Sequence, residues 1–285
     1  MKRGKVRILP LSALFLGILI IFYPTISSYF VQVNNESIIS KMDSSISELT
    51  DEEKQSQLEN AKKFNQSLLG TIEITDPYTE TVELENQEEY NRMLNFNGTG
   101  YMASITIPKA DIHLPIYHGT SDEVLNKGAG HLPMTSLPIG GEDTHVVISA
   151  HSGLVHSKMF DNLHEMKLND IFYFEVLGER YTYKVIDIEV VKPMEFEKLQ
   201  IVPHKDYATL LTCTPIGSNT HRLLVRGERI NNQYIPKDVK KKGSEKDEVK
   251  TLFIIAALLI FISMSFSLIY WFFKKRRNND KGKID

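Results

Sequence analysis

Seven short runs of β-branched, aromatic and aliphatic residues lie between about residues 100 and 230, and they constrain the fold of this chain more than any other feature. Glycine and proline clusters separate them, as at Pro138–Gly141. Short strand-like runs at this spacing are typical of a barrel. We therefore predict a mainly β fold, a closed or nearly closed barrel of seven to eight strands, with short accessory helices near Ser121–Asn126 and Lys158–Leu163. The runs are Tyr101–Ile107, His113–Tyr117, His145–Ala150, Ile171–Val176, Tyr181–Val191, Tyr207–Cys213 and Arg222–Arg229.

Two uncharged apolar runs lie near the ends of the chain. Ile8–Phe30 and Leu252–Phe273 are each long enough to cross a hydrocarbon core of about 30 Å as a helix. Basic residues flank each run on the side that faces a chain terminus, and cytoplasmic flanks carry such an excess. We therefore expect two transmembrane helices, both termini in the cytoplasm and the intervening residues outside the cell. A cleaved signal peptide is an alternative for the first run, although no Ala-x-Ala site is evident.

Composition divides the chain further. After the first apolar run the sequence is rich in Glu, Asn, Gln, Ser and Lys, with apolar residues spaced for one helical face and further helical patterns over Asp51–Leu69 and Glu85–Leu94. The net charge of −3, with no basic stripe outside the termini, argues against a nucleic-acid partner. We predict these segments: 1–30, basic tip and first anchor; 31–99, extracellular helical segment; 100–230, barrel; 231–250, solvated tether; 251–273, second transmembrane helix; 274–285, cytoplasmic basic tail.

Cys213 is the single cysteine among 285 residues, so it cannot form a disulfide within the chain. It ends a strand-like run, and Pro215 and Gly217 follow directly, so we expect the thiol to meet solvent at a strand end. Arg222 begins the next strand-like run, and a tight connection would bring its guanidinium near the thiol. The alternative is a buried cysteine that acts as a small hydrophobe.

The stretches Thr209–Pro215 and Thr220–Arg229 resemble the sortase signature, in which a strand-end cysteine is the nucleophile of a transpeptidase and a neighbouring-strand arginine serves it. The third member is an upstream histidine, and His151 ends an apolar run. Further phrases are similar to those of class C, the pilin-polymerising sortases: Ile107–Lys109, Leu114–Thr120 and Gly128–Leu132. The resemblance implies a sortase-type barrel with His151, Cys213 and Arg222 as catalytic residues, and it implies no cofactor and no metal.

Asp76, Pro77 and Tyr78 would by themselves indicate a turn. Class C sortases carry an Asp-Pro-aromatic lid in this segment, so the resemblance implies that Asp76 pairs with Arg222 and that Tyr78 covers Cys213. An exposed ion pair contributes about 0.2–1 kcal/mol, so we expect the lid to be held weakly.

The implied reaction is cleavage of an LPXTG-like sorting signal after its threonine, followed by joining of that threonine to a pilin lysine. The partners would be pilin subunits that carry a carboxy-terminal sorting signal and an acceptor lysine. A nearby imidazolium and guanidinium would stabilise the Cys213 thiolate. Two alternatives stay open: a housekeeping sortase that uses a peptidoglycan amine, and a non-enzymatic surface protein that binds a partner.

Other chemistries fit the sequence less well. The nine histidines lack the spacing of a zinc site, and no Gly-x-Ser-x-Gly elbow supports a serine hydrolase. A papain-type enzyme would place its cysteine before the histidine and at a helix start. Leu132–Thr135 is similar to the core of a sorting signal, but Ser136 stands where such a signal has glycine, so we interpret it as a barrel loop. Met134 and Ser152 depart from the class C pattern, which leaves the fine substrate preference open.

Overall fold

A computed structural model describes residues 8–68, 74, 76–78, 87–95, 98–193 and 195–231. Four α-helices lie within these residues: α1 Ile8–Ser47, α2 Asp51–Ser67, α3 Gln87–Arg92 and α4 Asp122–Lys127. The strands are β1 Tyr101–Ile107, β2 Ile112–His118, β3 Ala129–His131, β4 Thr144–Ser149, β5 Ile171–Val176, β6 Glu179–Val191, β7 Asp206–Thr214 and β8 His221–Arg229.

The eight strands close into a barrel in the order β1-β2-β3-β4-β7-β8-β6-β5. This confirms the predicted barrel, and each of the seven predicted runs contains a strand. The sequence analysis missed β3, which has three residues and a central glycine, both weak strand signals. A Cβ atom at Gly130 would lie 2.4 Å from the carbonyl oxygen of Gly119, so the close approach of β3 to its neighbour requires glycine there.

Two parallel neighbours, β4 and β7, place the functional residues. They pair in register from Thr144 opposite Asp206 to Ser149 opposite Leu211, so their carboxyl ends open at the same edge of the barrel. Strand β8 lies antiparallel beside β7. Residues that follow β4, end β7 or begin β8 are therefore brought to one place.

The amino-terminal helices pack against the barrel wall. Helix α2 starts at a capping box, in which the Thr50 hydroxyl accepts from the Glu53 backbone N–H and the Glu53 carboxylate accepts from that of Thr50. The buried Asn65 side chain, near the end of α2, exchanges two hydrogen bonds with the backbone of Leu137. Glu36 of α1 lies 2.9 Å from Nδ1 of His113 on β2. These contacts hold α1 and α2 against the barrel.

Helix α1 begins at Ile8 and includes the first predicted membrane run. Among the residues that the structure describes, no helix combines the length and apolar character needed to cross a membrane. The second predicted run, Leu252–Phe273, the tether after residue 231 and the basic tail lie outside the described residues.

Candidate active site

Cys213 and Arg222 lie directly opposite each other on β7 and β8. The turn between these strands contains the cis peptide Thr214–Pro215. The expectation that the thiol meets solvent is wrong, because Cys213 is only 6% exposed. A strand end does lie here, but Arg222 and the upstream segment Asp76–Tyr78 pack against it.

His151 follows β4 by two residues and is half-buried. Its carbonyl accepts a hydrogen bond of 3.0 Å from the backbone N–H of Phe160, which fixes the chain where it leaves the strand. The His151 ring lies 5.6 Å from the Tyr78 ring, and the Arg222 guanidinium lies 5.0 Å from that same ring. The structure therefore gathers His151, Arg222 and its strand partner Cys213 around Tyr78.

Asp76 and Arg222 form a two-pronged ion pair. Nε of Arg222 donates to one carboxylate oxygen at 2.9 Å and Nη2 donates to the other at 2.5 Å. The Asp76 side chain is 0% exposed and that of Arg222 is 4% exposed, so the expectation of an exposed pair is wrong. The pair is buried because the whole segment, including Pro77, lies in the cleft rather than on its rim. Removal of one partner from a buried pair is far more costly than loss of an exposed one.

The Tyr78 hydroxyl reaches between the ends of β4 and β7. It donates to the carbonyl of Ala150 at 2.7 Å, lies 3.2 Å from that of Leu211, and accepts from the hydroxyl of Ser149 at 2.8 Å. These bonds seat the ring beside His151. The sequence analysis missed Ser149, whose part depends on a contact 71 residues away in the chain.

Ile74 is a third contact of this segment, which the sequence analysis also missed. Its side chain is buried in an apolar cluster outside the main core, and Tyr78 packs against the same cluster. The cluster contains Leu132, Val147, Phe196, Leu199, Leu211 and Leu224. Ile74 lies two residues before Asp76, and its contacts are long-range, so no local signal in the sequence marked it. We call Ile74, Asp76, Pro77 and Tyr78 the lid segment from here on.

The pKa shifts of Cys213 and His151 in this arrangement do not favour a thiolate–imidazolium pair. Burial raises the pKa of the Cys213 thiol, Arg222 lowers it and Asp76 raises it again, so the net shift is upward. Burial lowers the pKa of His151, partly offset by Asp122. Arg222 therefore lowers the pKa of the thiol, as expected, but in this state burial and Asp76 outweigh its effect. Both shifts favour the neutral forms of the Cys213 thiol and the His151 imidazole in this state.

Two other buried histidines have structural partners. His131 accepts from the Tyr90 hydroxyl at Nδ1 (2.9 Å) and donates from Nε2 to the Ser136 carbonyl (2.8 Å), and burial lowers its pKa to about 3. His145 bonds the Gln200 carbonyl and the Thr209 hydroxyl. The stretch Leu132–Thr135 lies in the loop between β3 and β4, as interpreted from the sequence, and Thr135 is buried there.

Residues 105–230 match the sortase domain family. Curated relatives are similar to the same part of the chain: sortase A of Streptococcus agalactiae is 32% identical over 130 residues, 45% of this chain and 52% of that protein. Sortase D of Bacillus subtilis is 27% identical over 136 residues, 46% of this chain and 66% of that protein. The match to the first of these therefore spans about half of the relative's length.

Solved structures match over nearly their whole length. Sortase C of Streptococcus pneumoniae is 42% identical, with 68% of this chain and 97% of that chain covered and a TM-score of 0.64. Sortase C-1 of Actinomyces oris is 43% identical, with 63% and 99% covered and a TM-score of 0.60. On this fold and these matches, the chain belongs to the sortase family, with class C pilin sortases as its structural neighbours.

Proposed function

We propose that this chain is a class C sortase that cuts an LPXTG-like sorting signal after threonine and joins the threonine to a lysine of a pilin subunit. The observation that carries the proposal is the gathering of Cys213, His151 and Arg222 around one site that the lid segment closes. A free thiol beside an imidazole and a guanidinium suits acyl transfer, since a thiol needs less activation than a hydroxyl.

The reaction has two halves. With the lid segment open, the Cys213 thiol passes its proton to His151, and the resulting thiolate attacks the threonine carbonyl. Arg222 with backbone N–H groups stabilises the developing oxyanion, a contact typically worth about 3 kcal/mol of barrier. His151 gives a proton to the departing amine as the peptide bond breaks and the thioester forms. The lysine amine then attacks the thioester, His151 takes its proton, and the thiolate leaves as the new amide bond forms.

The lid segment must move out of the active site before this chemistry can begin. Asp76 occupies both forked donors of Arg222, and a third guanidinium nitrogen donates to the carbonyls of Asn219 and His221. A substrate oxygen can reach Arg222 only after the carboxylate withdraws. Withdrawal also removes a negative charge from beside Cys213 and admits water, and both changes lower the pKa of the thiol.

A housekeeping sortase that uses a peptidoglycan amine is the second candidate. The same Cys213 chemistry would serve it, and the two candidates differ in the amine that resolves the thioester. The buried pairing of Asp76 with Arg222 favours the class C proposal, because a closed lid restricts the thiol to a partner that can displace it. A non-enzymatic surface protein is less favoured, since binding alone does not require Cys213, His151 and Arg222 to lie at one site.

The acceptor test distinguishes these candidates. We expect the full chain, given a Leu-Pro-x-Thr-Gly peptide and a pilin subunit, to form a threonine–lysine amide that mass spectrometry locates on the pilin. Oligoglycine, or another short peptide amine of the kind found in peptidoglycan, should compete poorly. Transfer to the peptidoglycan-type amine with none to pilin would favour the housekeeping function, and no cleavage with either acceptor would refute both.

The chain is further proposed to lie on the outer face of a Gram-positive cell, held by two membrane helices with both termini inside. The two uncharged runs, Ile8–Phe30 and Leu252–Phe273, and their basic flanks support this proposal. Protease added to intact protoplasts should digest the barrel while a tag at either terminus stays protected. Digestion of the carboxy-terminal tag from outside would contradict the two-anchor arrangement.

A further inference from the structure

Ser152 links the loop after β4 to Cys213, the last residue but one of β7. Its hydroxyl donates a 2.7 Å hydrogen bond to the carbonyl of Cys213, and the residue is 7% exposed. Ser152 directly follows His151. The bond therefore joins the immediate neighbour of the imidazole to the backbone of the thiol residue.

The bond lies where the pairing of β4 with β7 comes to an end. The register of the two strands runs to Ser149 opposite Leu211, and a backbone bond of 3.2 Å from Ala150 to Leu211 extends it by one residue. Beyond that point side chains continue the link: the Thr212 hydroxyl donates to the Ala150 carbonyl at 2.7 Å, and Ser152 reaches Cys213. Ser152 is thus the outermost of these connections, and with Ala150 it flanks the imidazole residue on both sides.

The other side of the loop is braced independently. The backbone N–H of Gly153 donates to the Asp161 carboxylate at 2.6 Å, and that of Phe160 donates to the His151 carbonyl at 3.0 Å. Gly153 has a φ of +79°, a conformation that favours glycine, and it turns the chain sharply. These two bonds brace the loop from within, and the Ser152 hydroxyl bonds the loop to the Cys213 backbone.

We propose that Ser152 is a positioning residue, which fixes the placement of the His151 imidazole relative to the Cys213 thiol. The inference rests on the proposed function, because it concerns the proton that His151 gives and takes during acyl transfer. The hydroxyl bonds a backbone carbonyl, so it acts through His151 and Cys213 rather than on the substrate. A displacement of about 1 Å between reacting groups can lower a rate by about a hundredfold. Loss of one hydrogen bond at this place is therefore expected to lower the rate strongly.

The test is a comparison of Ser152→Ala with Ser152→Thr, which keeps the hydroxyl, in the full chain acting on a sorting peptide and pilin. We expect Ser152→Ala to lower kcat by about ten- to a hundredfold with KM within about twofold of wild type. Ser152→Thr should regain most of the lost kcat. Because the Ala change removes one oxygen atom, the melting temperature should fall by only about 2–4 °C.

Ser157→Ala provides the matched control, since Ser157 is also buried in this loop and lies five residues from Ser152. Equal kcat values for Ser152→Ala and Ser157→Ala would overturn the positioning role while leaving the proposed function intact. A loss that Ser152→Thr does not restore would overturn it too, since packing rather than the hydroxyl would then be the cause. Absence of product with wild type and control alike would refute the proposed function and the inference with it.

Discussion

Replacement of Cys213 by alanine is expected to abolish both cleavage of a sorting peptide and its transfer to pilin. The thiol is the single sulfur nucleophile in the chain, so the thioester has no other place to form. Cys213→Ser keeps the shape of the side chain and should fold as wild type does, with activity at background, because a serine needs stronger activation. Peptide cleavage followed by chromatography measures both variants.

The two partners of the thiol should show large but finite losses. His151→Ala removes the proton donor and acceptor, which typically contributes about 10²–10⁴-fold. Arg222→Lys keeps a positive charge but loses the forked donors, and removal of an oxyanion donor typically costs about 10²–10³-fold in kcat. Arg226→Lys is the matched control, since Arg226 lies on the same strand and pairs with Asp187 at 2.8 Å. Activity within a few-fold of wild type in Arg222→Lys, or pilin joined by Cys213→Ala in cells that lack other sortases, would contradict these roles.

Opening of the lid segment should produce the second large effect. The double change Asp76→Ala with Tyr78→Ala removes the ion pair with Arg222 and the hydroxyl contacts at the ends of β4 and β7. Loss of one partner from a buried pair destabilises the structure by about 3–5 kcal/mol, and about 1.4 kcal/mol of that already changes a population tenfold. We therefore expect Cys213 to react at least about tenfold faster with a small thiol reagent. Hydrolysis of a free sorting peptide should rise as well, because more molecules are open.

The same variant should change the pH dependence of thiol labelling. In the closed state burial and Asp76 raise the pKa of Cys213, so the thiolate, which is the reactive form, is scarce until the pH exceeds that raised value. Removal of Asp76 and entry of water both lower the pKa. The midpoint of the labelling rate against pH should therefore move to lower pH in the double variant, and a midpoint that rises would contradict the assignment.

Two single variants separate the contacts of Tyr78 and Ile74 from the ion pair of Asp76. Tyr78→Phe removes only the hydroxyl that bonds Ala150 and Ser149. Ile74→Ala removes only the contacts of the Ile74 side chain in the apolar cluster. Each should speed labelling, by less than the double variant does. Leu168→Ala, at an exposed leucine outside the cleft, should leave the rate unchanged. Equal labelling rates in the wild type and the double variant would mean that Asp76, Pro77 and Tyr78 are an ordinary turn.

The sequence predicted the barrel because local signals specify its strands. β-branched runs broken by glycine and proline mark seven of the eight strands, and the tight connection between Cys213 and Arg222 makes β7 and β8 neighbours. These inferences need only short stretches of chain. The three-residue strand β3 was not predicted, because a run that short, with glycine at its centre, has little preference for strand structure.

The burial of the site could not be predicted in the same way. Asp76 meets Arg222 across 146 residues of sequence, and Tyr78 meets Leu211 across 133. A strand end followed by Pro215 indicates exposure from its own neighbourhood. The covering segment Asp76–Tyr78 was expected only through the resemblance to class C sortases, because no local signal links it to Cys213. The same long-range contact buries the ion pair that was expected to be exposed. It also places Asp76 beside Cys213, so burial and Asp76 outweigh the lowering of the thiol pKa by Arg222.

Intact-mass measurement of the protein after incubation with a Leu-Pro-x-Thr-Gly peptide tests the central claim most directly. The wild type, and more strongly the variant with Asp76→Ala and Tyr78→Ala, should gain the mass of the peptide acyl fragment that ends at threonine. The adduct should map to Cys213 and be released by hydroxylamine, as a thioester is. The account is contradicted if the open-lid variant forms no adduct, or if Cys213→Ala in the same background forms it equally well.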